Sequence, residues 1–239
     1  MPNWASSHIT IRGKAHDIIA IKAQLSQPYD SPWNGEPNEI TGEPLKNRTV
    51  TGDFLLWNIV KPTDLHAYLE RDKKQFKALI KANPELQALD VAEKQSKAGM
   101  TDKDQMSDIM QTIMVERATA QDWYNWNCRN WGTKWDTNDE GSRILAYEAC
   151  LDDPTCMRIV YEVSSAWSPP VEALHHLAQQ YPDVSIHLDS IDEGDCFAMT
   201  ADWENGDFDE SEVEITHDFG MTLRGYCNLE CCEDFGGEE

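Results

Sequence analysis

Residues 157–188, MRIVYEVSSAWSPPVEALHHLAQQYPDVSIHL, decide the fold class of this chain. Ile159, Tyr161 and Val163 alternate with other residues at the period of a half-buried β-strand. Ser168 and Pro169 then form a helix start, because proline is favoured at the first helical position. Apolar side chains follow at helical spacing, and a second alternating run occupies residues 184–188. The stretch therefore predicts strand, helix, strand.

The flanking segments extend this pattern in both directions. His8–Gly13 alternates like a strand, and Ala15–Leu25 places Ile18, Ile21 and Leu25 on one helical stripe. Residues 143–149 predict a strand joined to 157–163 by a hairpin turn at 151–155, and residues 196–201 predict one more strand. The order predicts an α+β fold of ferredoxin-like type, an antiparallel sheet with helices on one face.

Two segments fall outside that core pattern. Helical periodicity at about 63–122 predicts a helical insertion within a ferredoxin-like domain of residues 1–202. Residues 203–239 predict an acidic C-terminal extension packed on the domain or trailing from it. Within it, we expect a strand around Val213 and Ile215 that pairs with residues 218–229 as an acidic hairpin.

Charge is the most informative bulk property of the chain. The formal net charge is −23, and residues 183–239 carry 18 acidic side chains and one basic residue, Arg224. Such a field repels nucleic acid and attracts basic surfaces, including the DNA-binding faces of other proteins. The alternative is that the excess of acid confers solubility alone.

Other features narrow the class of protein. No signal-like apolar run occurs near Met1 and no stretch is long and apolar enough to span a membrane, so we expect a soluble, cytoplasmic protein. Seven scattered cysteines favour free thiols. The C-x3-C-C spacing at Cys227 lacks a second cysteine pair, His175-His176 lacks a ligand at i+4, and residues 202–213 fail the calcium-loop pattern. We expect no metal and no cofactor.

Residues 123–136, WYNWNCRNWGTKWD, hold four of the nine tryptophans and allow three interpretations. In a catalytic or ligand site, Lys134 and Asp136 would act beside Trp131 and Trp135. In a nucleic-acid platform, the indoles would stack on bases while Arg129 and Lys134 held phosphate, which the overall acidity opposes. In a structural motif, which we favour, large indoles pin a helix to the sheet.

Three phrases carry a resemblance to a known family: PNWASSHITIRG at 2–13, NWGTKWD at 130–136 and SAWSPPVEAL at 165–174. In this order and spacing they resemble the YubB-type ferredoxin-like family of conjugative plasmids and bacteriophages, through about residue 202. The family opening usually has cysteine and asparagine where this chain has Ala5 and Ser7. The resemblance implies a ferredoxin-like fold and a mobile-element origin, and it implies little about activity.

These observations support two hypotheses about function. The first is a non-catalytic binding protein that engages a host protein with a basic surface, plausibly a nucleic-acid-handling or defence protein, by imitating phosphate charge. Its partner-binding residues would be Asp202, Glu204, Asp207, Asp209, Glu210, Glu212 and Glu214. The second is an enzyme or small-ligand binder with a site near NWGTKWD and AWSPP. Its residues would be Trp131, Lys134, Trp135, Asp136 and Trp167.

Overall fold

The computed structural model describes residues 3–38, 41–69, 122–138, 140–151 and 153–229. The chain divides into two compact units, one formed by residues 1–61 with 128–239 and the other by residues 62–127. Most of the second unit lies outside the described residues, so the helical insertion at about 63–122 stays a prediction. In its described part, helix α2 (Leu65–Leu69) is followed after the gap by α3 (Trp123–Asn130), and Tyr68 Oη donates a hydrogen bond of 3.0 Å to Asn127 Oδ1.

The first unit is built on a six-stranded antiparallel sheet. Its elements are β1 (Trp4–Lys14), α1 (Ala15–Leu25), β4 (Ser142–Ala149), β5 (Cys156–Ala166), α4 (Val171–Gln180), β6 (Ser185–Asp192), β7 (Ala198–Glu204), β8 (Asp207–Glu212) and α5 (His217–Arg224). Two short strands, β2 (Tyr29–Asp30) and β3 (Thr49–Val50), pair separately. The order across the large sheet is β4-β5-β1-β6-β7-β8. The first four of these strands, with α1 and α4, form the predicted ferredoxin-like arrangement.

Alternation along the strands produces the core. Ile9 and Ile11 of β1 are fully buried, as are Tyr161 of β5 and Leu188 of β6. The predicted stripe of α1 is also fully buried. In α4 the buried residues are Ala173, Leu174 and Leu177. Because these side chains share one face of the sheet with the helices, we call that face the core face.

The opposite face, here the outer face, carries the residues that alternate with the core, among them His8, His187 and Asp202. It is not bare at one end, because α5 packs there. Leu223 of α5 is buried with Ile191 and Ala198, and Phe219 packs against this cluster. Helices of this unit therefore lie on both faces, and the prediction of helices on one face holds for α1 and α4.

The sequence predicted an acidic hairpin formed by a strand around Val213 and Ile215 with residues 218–229, and this prediction is wrong. Residues 217–224 form α5, in which the Thr216 side chain accepts a hydrogen bond from Phe219 N and Gly225 ends the helix at φ 79°. A threonine cap and a left-handed glycine are strong helix boundaries, and they outweigh the short alternation at Val213 and Ile215. The acidic hairpin of the molecule is formed instead by β7 and β8.

Two further expectations need correction. The continuous apolar run at residues 54–57 predicts a strand region over 49–62, whereas only Thr49–Val50 is a strand and Leu56–Asn58 is a turn of 3-10 helix. The cysteines were expected to be free thiols, whereas a disulfide joins Cys150 and Cys156 across the β4–β5 turn. Cys128, Cys196 and Cys227 form no disulfide with another described residue. Among the described residues, no helix is long and apolar enough to cross a membrane.

Candidate functional site

The β7–β8 hairpin carries the acidic residues predicted to bind a partner. Its two strands join through Asn205 and Gly206, whose φ values of 55° and 86° belong to the tight turn that suits the twist of a hairpin. Six of the seven predicted carboxylates lie on the hairpin, and Glu214 follows β8 by two residues. The structure thus brings these residues together on one local element.

The pairing of the strands sets carboxylates directly opposite one another. Asp202 pairs with Asp209, and Glu204 pairs with Asp207. Side chains at such positions have Cβ atoms about 5 Å apart, and like charges there destabilise a sheet. The hairpin therefore concentrates negative charge in an arrangement that costs stability.

The carboxylates divide between the two faces of the sheet. Asp202, Asp207 and Asp209 lie on the outer face, whereas Glu210 and Glu212 share the other side of β8 with Phe208. All six residues of β8 are exposed. Strand β8 is thus an acidic strand with carboxylates on both of its faces.

An aromatic contact fixes the hairpin against α4. Trp203 Nε1 donates a hydrogen bond of 2.9 Å to His175 Nδ1, and the Phe208 ring lies 4.4 Å from the His175 ring, centroid to centroid. Phe208 also packs on Trp203 at 5.0 Å. His175 therefore anchors the base of the acidic hairpin.

One histidine of the outer face, His187 of β6, lies beside the hairpin. His187 Nδ1 is 2.7 Å from Asp202 Oδ1, and its Nε2 is 3.2 Å from Asp189 Oδ2. Burial lowers the pKa of His187, but the hydrogen bond to Asp202 and the charge of Asp189 outweigh burial and raise the pKa above its ordinary value. When protonated, His187 therefore offsets part of the negative charge on strand β7 of the hairpin.

His8 lies on the neighbouring strand, in the opposite electrostatic situation. Its Nε2 atom is buried without a hydrogen-bond partner and lies 4.0 Å from Glu162 Oε2. Burial lowers the pKa of His8, although Glu162 and Asp189 act to raise it. Sequence reasoning missed both histidines, because only the adjacency of β1 and β6 brings them together. Their polar positions in the alternating runs 8–13 and 184–188 were the available signal.

The second predicted site separates into an exposed part and an interior part. In the exposed part, Lys134 Nζ lies 4.4 Å from the ring centroids of both Trp135 and Trp167. Trp4 packs on Trp135 at 6.1 Å, and the exposed fractions of Trp4, Trp135 and Trp167 are 38%, 39% and 41%. Trp167 has a φ of 77°, a left-handed conformation that is strained for a bulky residue. We call Trp4, Lys134, Trp135 and Trp167 the indole patch.

Trp131 and Asp136 belong to the interior part. Trp131 is buried and donates a hydrogen bond of 3.2 Å from Nε1 to Val60 O. The Asp136 carboxylate accepts hydrogen bonds from Tyr29 Oη at 2.7 Å and Leu56 N at 2.6 Å, and from two further backbone amides, those of Trp57 and Thr137. Burial raises the pKa of Asp136 to about 6, against the hydrogen bonds, which lower it.

These contacts explain the NWGTKWD motif locally. Asp136 holds the 3-10 turn to the motif through the Leu56 and Trp57 amides, and Trp131 fills the core beside Trp57. Gly132 has a φ of 79°, and a Cβ there would lie 3.2 Å from backbone atoms of Pro169, Val171 and Glu172. The motif thus joins the residues before α4 to the sheet, and only Lys134 and Trp135 among its predicted site residues face the solvent side.

Comparison with known proteins bears on the fold of this region. Residues 130–213 match a family model described as the ferredoxin-like domain in Api92-like protein. The chain is also similar to the crystal structure of Api92 from Yersinia pseudotuberculosis, at 11% identity and a TM-score of 0.39, over 90% of this chain and 99% of that one. No curated protein matches the chain. The family description names a fold and no activity.

Within the described residues, no group of three or more histidine, cysteine, aspartate and glutamate side chains is arranged to hold a metal ion. Cys231 and Cys232 lie outside those residues. Two surface features could bind a partner: the acidic β7–β8 hairpin and the indole patch.

Proposed function

We propose that this protein is a non-catalytic binding protein whose acidic β7–β8 hairpin engages a basic surface on another protein. The observation that carries the proposal is strand β8, whose six residues are all exposed and include four carboxylates. Like charges stand directly opposite one another across the hairpin. A basic partner would relieve that repulsion, so the stability lost in the free protein returns as binding energy.

Solubility alone is a weaker explanation of the hairpin. Dispersed surface charge keeps a protein soluble without placing Asp202 opposite Asp209. The hairpin is also held in place, because Phe208 and Trp203 pack on His175. A charged element held in one conformation loses less entropy on binding than a flexible tail.

The charge pattern favours a partner that handles nucleic acid. Alternate residues of a strand lie roughly 7 Å apart on one face, which is comparable with the phosphate spacing along one strand of DNA. The sequence resemblance to proteins of plasmids and phages supports a setting in which the partner belongs to a bacterial host, such as a defence protein in its cytoplasm. The chain itself would repel nucleic acid.

The proposal can be tested by neutralising the acidic strand and its flank. The variant Asp207→Asn, Asp209→Asn, Glu210→Gln, Glu212→Gln and Glu214→Gln should lose capture of a partner from bacterial lysate at low salt. A control variant neutralises five acidic residues elsewhere, so that its net charge equals that of the hairpin variant. Its substitutions are Glu36→Gln, Glu43→Gln, Glu140→Gln, Glu172→Gln and Asp183→Asn. The proposal requires the control to capture the partner as the natural chain does. Equal loss in both variants would contradict a role for the hairpin.

A second candidate function is binding of a ligand or partner at the indole patch. The observation that favours it is the strained backbone of Trp167, since strain at an exposed indole is a mark of functional positions. Trp135→Ala and Trp167→Ala should then abolish binding while the melting temperature stays close to that of the natural chain. Unchanged partner capture by both variants would contradict this candidate.

A further inference from the structure

Strand β8 is the terminal strand of the large sheet, and its edge is regular. It pairs with β7 without a register shift from Glu204↔Asp207 to Met199↔Glu212. The other terminal strand, β4, is interrupted by an irregularity between Ile144 and Ala146. Bulges of this kind protect a sheet edge from pairing, and the β7–β8 register has none.

The register identifies the backbone groups that point outward from β8. Val213 N donates a hydrogen bond of 2.9 Å to Ala198 O, so that pair is a hydrogen-bonded pair of the ladder. Such pairs alternate with non-bonded pairs along antiparallel strands. The residues of β8 that direct their N–H and C=O groups away from β7 are therefore Phe208, Glu210 and Glu212.

The charge of β8 decides what can pair with this edge. Asp207 and Asp209 lie on one face of the strand and Glu210 and Glu212 on the other, so an added strand meets carboxylates on both faces. A second copy of this chain would bring its own carboxylates opposite these, which opposes self-pairing. An extended segment rich in lysine or arginine would meet opposite charge at four of the six positions of β8.

We propose that the β8 edge binds an extended, basic segment of the partner protein as a seventh strand of the sheet. This inference rests on the proposed function and adds its binding mode. The backbone groups of Phe208, Glu210 and Glu212 would provide affinity, as in other cases of strand addition, and the flanking carboxylates would select basic side chains.

The first test uses a synthetic peptide of alternating lysine and threonine and follows amide hydrogen exchange in the full chain. The peptide should protect the amides of Phe208, Glu210 and Glu212, which are exposed in the free protein. The same peptide with methyl groups on alternate backbone nitrogens should bind more weakly by about tenfold, since it lacks the required donors. Binding of both peptides with equal affinity and no new protection would overturn strand addition and leave the electrostatic proposal standing.

The second test uses two substitutions at one position. Glu210→Pro removes an N–H that is not used in the β7–β8 ladder, so the fold should persist, as the melting temperature would verify. It should weaken the peptide by about tenfold, whereas Glu210→Gln, which removes the charge and keeps the N–H, should weaken it by about twofold. If the two substitutions weakened peptide binding equally, strand addition would be contradicted, whereas the proposed function would stand. No binding of either peptide to the natural chain at low salt would contradict both this inference and the proposed function.

Discussion

At the scale of single residues, Asp136 and Lys134 separate the structural and functional parts of the NWGTKWD motif. Asp136 accepts hydrogen bonds from Tyr29, Leu56, Trp57 and Thr137. Lys134 instead lies over the rings of Trp135 and Trp167 at the surface. Lys134 and Asp136, which the sequence allowed as a catalytic pair, thus make separate contacts in different parts of the structure.

We therefore predict that two alanine substitutions destabilise the protein to different extents. Asp136→Ala leaves several enclosed donors without an acceptor and should lower the free energy of unfolding by roughly 3 kcal/mol. Lys134→Ala removes cation–π contacts that are partly exposed and should cost about 1 kcal/mol or less. Urea denaturation of both variants measures the difference. A stable Asp136→Ala variant would contradict the anchoring role.

His187 gives a prediction for the pH dependence of stability. Burial lowers the pKa of His187, but the hydrogen bonds and charges of Asp202 and Asp189 together outweigh burial and raise its folded-state pKa above the ordinary value of 6.5. Its contribution is therefore fully present below pH 6.5 and is lost as the pH rises through the raised pKa. His187→Gln should thus cost more stability at about pH 5.5 than at about pH 9. A cost that grows with pH would show that the imidazolium is not stabilised by these carboxylates.

At the scale of elements, Phe208 links the acidic hairpin to α4 through Trp203 and His175. Phe208→Ala should loosen the hairpin and speed amide exchange at Asp209 and Ser211, whose N–H groups take part in the β7–β8 ladder. The expected cost is about 1 kcal/mol, because the ring is partly exposed. Leu145→Ala, an exposed apolar residue on the opposite edge strand, is the control. Unchanged exchange in the Phe208 variant would contradict the anchor.

The elements also show how far sequence reasoning reaches. Alternation and helical stripes predicted β1, α1, β5, α4, β6 and β7, because each of these has one side chain face buried in the core. The sequence also predicted β4, in which Ser142 is the one buried residue. Strand β8 was not predicted, since all its residues are exposed and no apolar alternation marks it. The turn residues Asn205 and Gly206 were the local signal for the hairpin, but the acidic residues beside them show no apolar alternation that would support it.

The sequence predicted which residues belong to the candidate site but not how those residues are arranged. The acidic residues of the hairpin could be named from charge density, whereas their division between two faces depends on the register with β7. Likewise, the approach of His187 to Asp202 and the enclosure of Asp136 arise from pairing between distant segments. Local sequence contains no direct information about such contacts.

At the scale of the whole molecule, the net charge of −23 is a competing explanation for any binding to basic partners. A general field would attract cations wherever the charges stand, whereas the proposed function assigns the interaction to the β7–β8 hairpin. Comparing variants of equal net charge removes this ambiguity. The ferredoxin-like domain would then serve as a rigid support for the acidic edge.

The most direct measurement is the salt dependence of affinity for the basic peptide, in the natural chain, the five-site hairpin variant and the five-site control of equal charge. Plotting the logarithm of the dissociation constant against that of salt concentration, from about 50 to about 500 mM, reports the ion pairs broken on dissociation. We predict that the hairpin variant has a much shallower slope and that the control keeps the slope of the natural chain. Equal, shallow slopes in both variants would contradict the account, because the binding would then follow net charge and not the acidic strand.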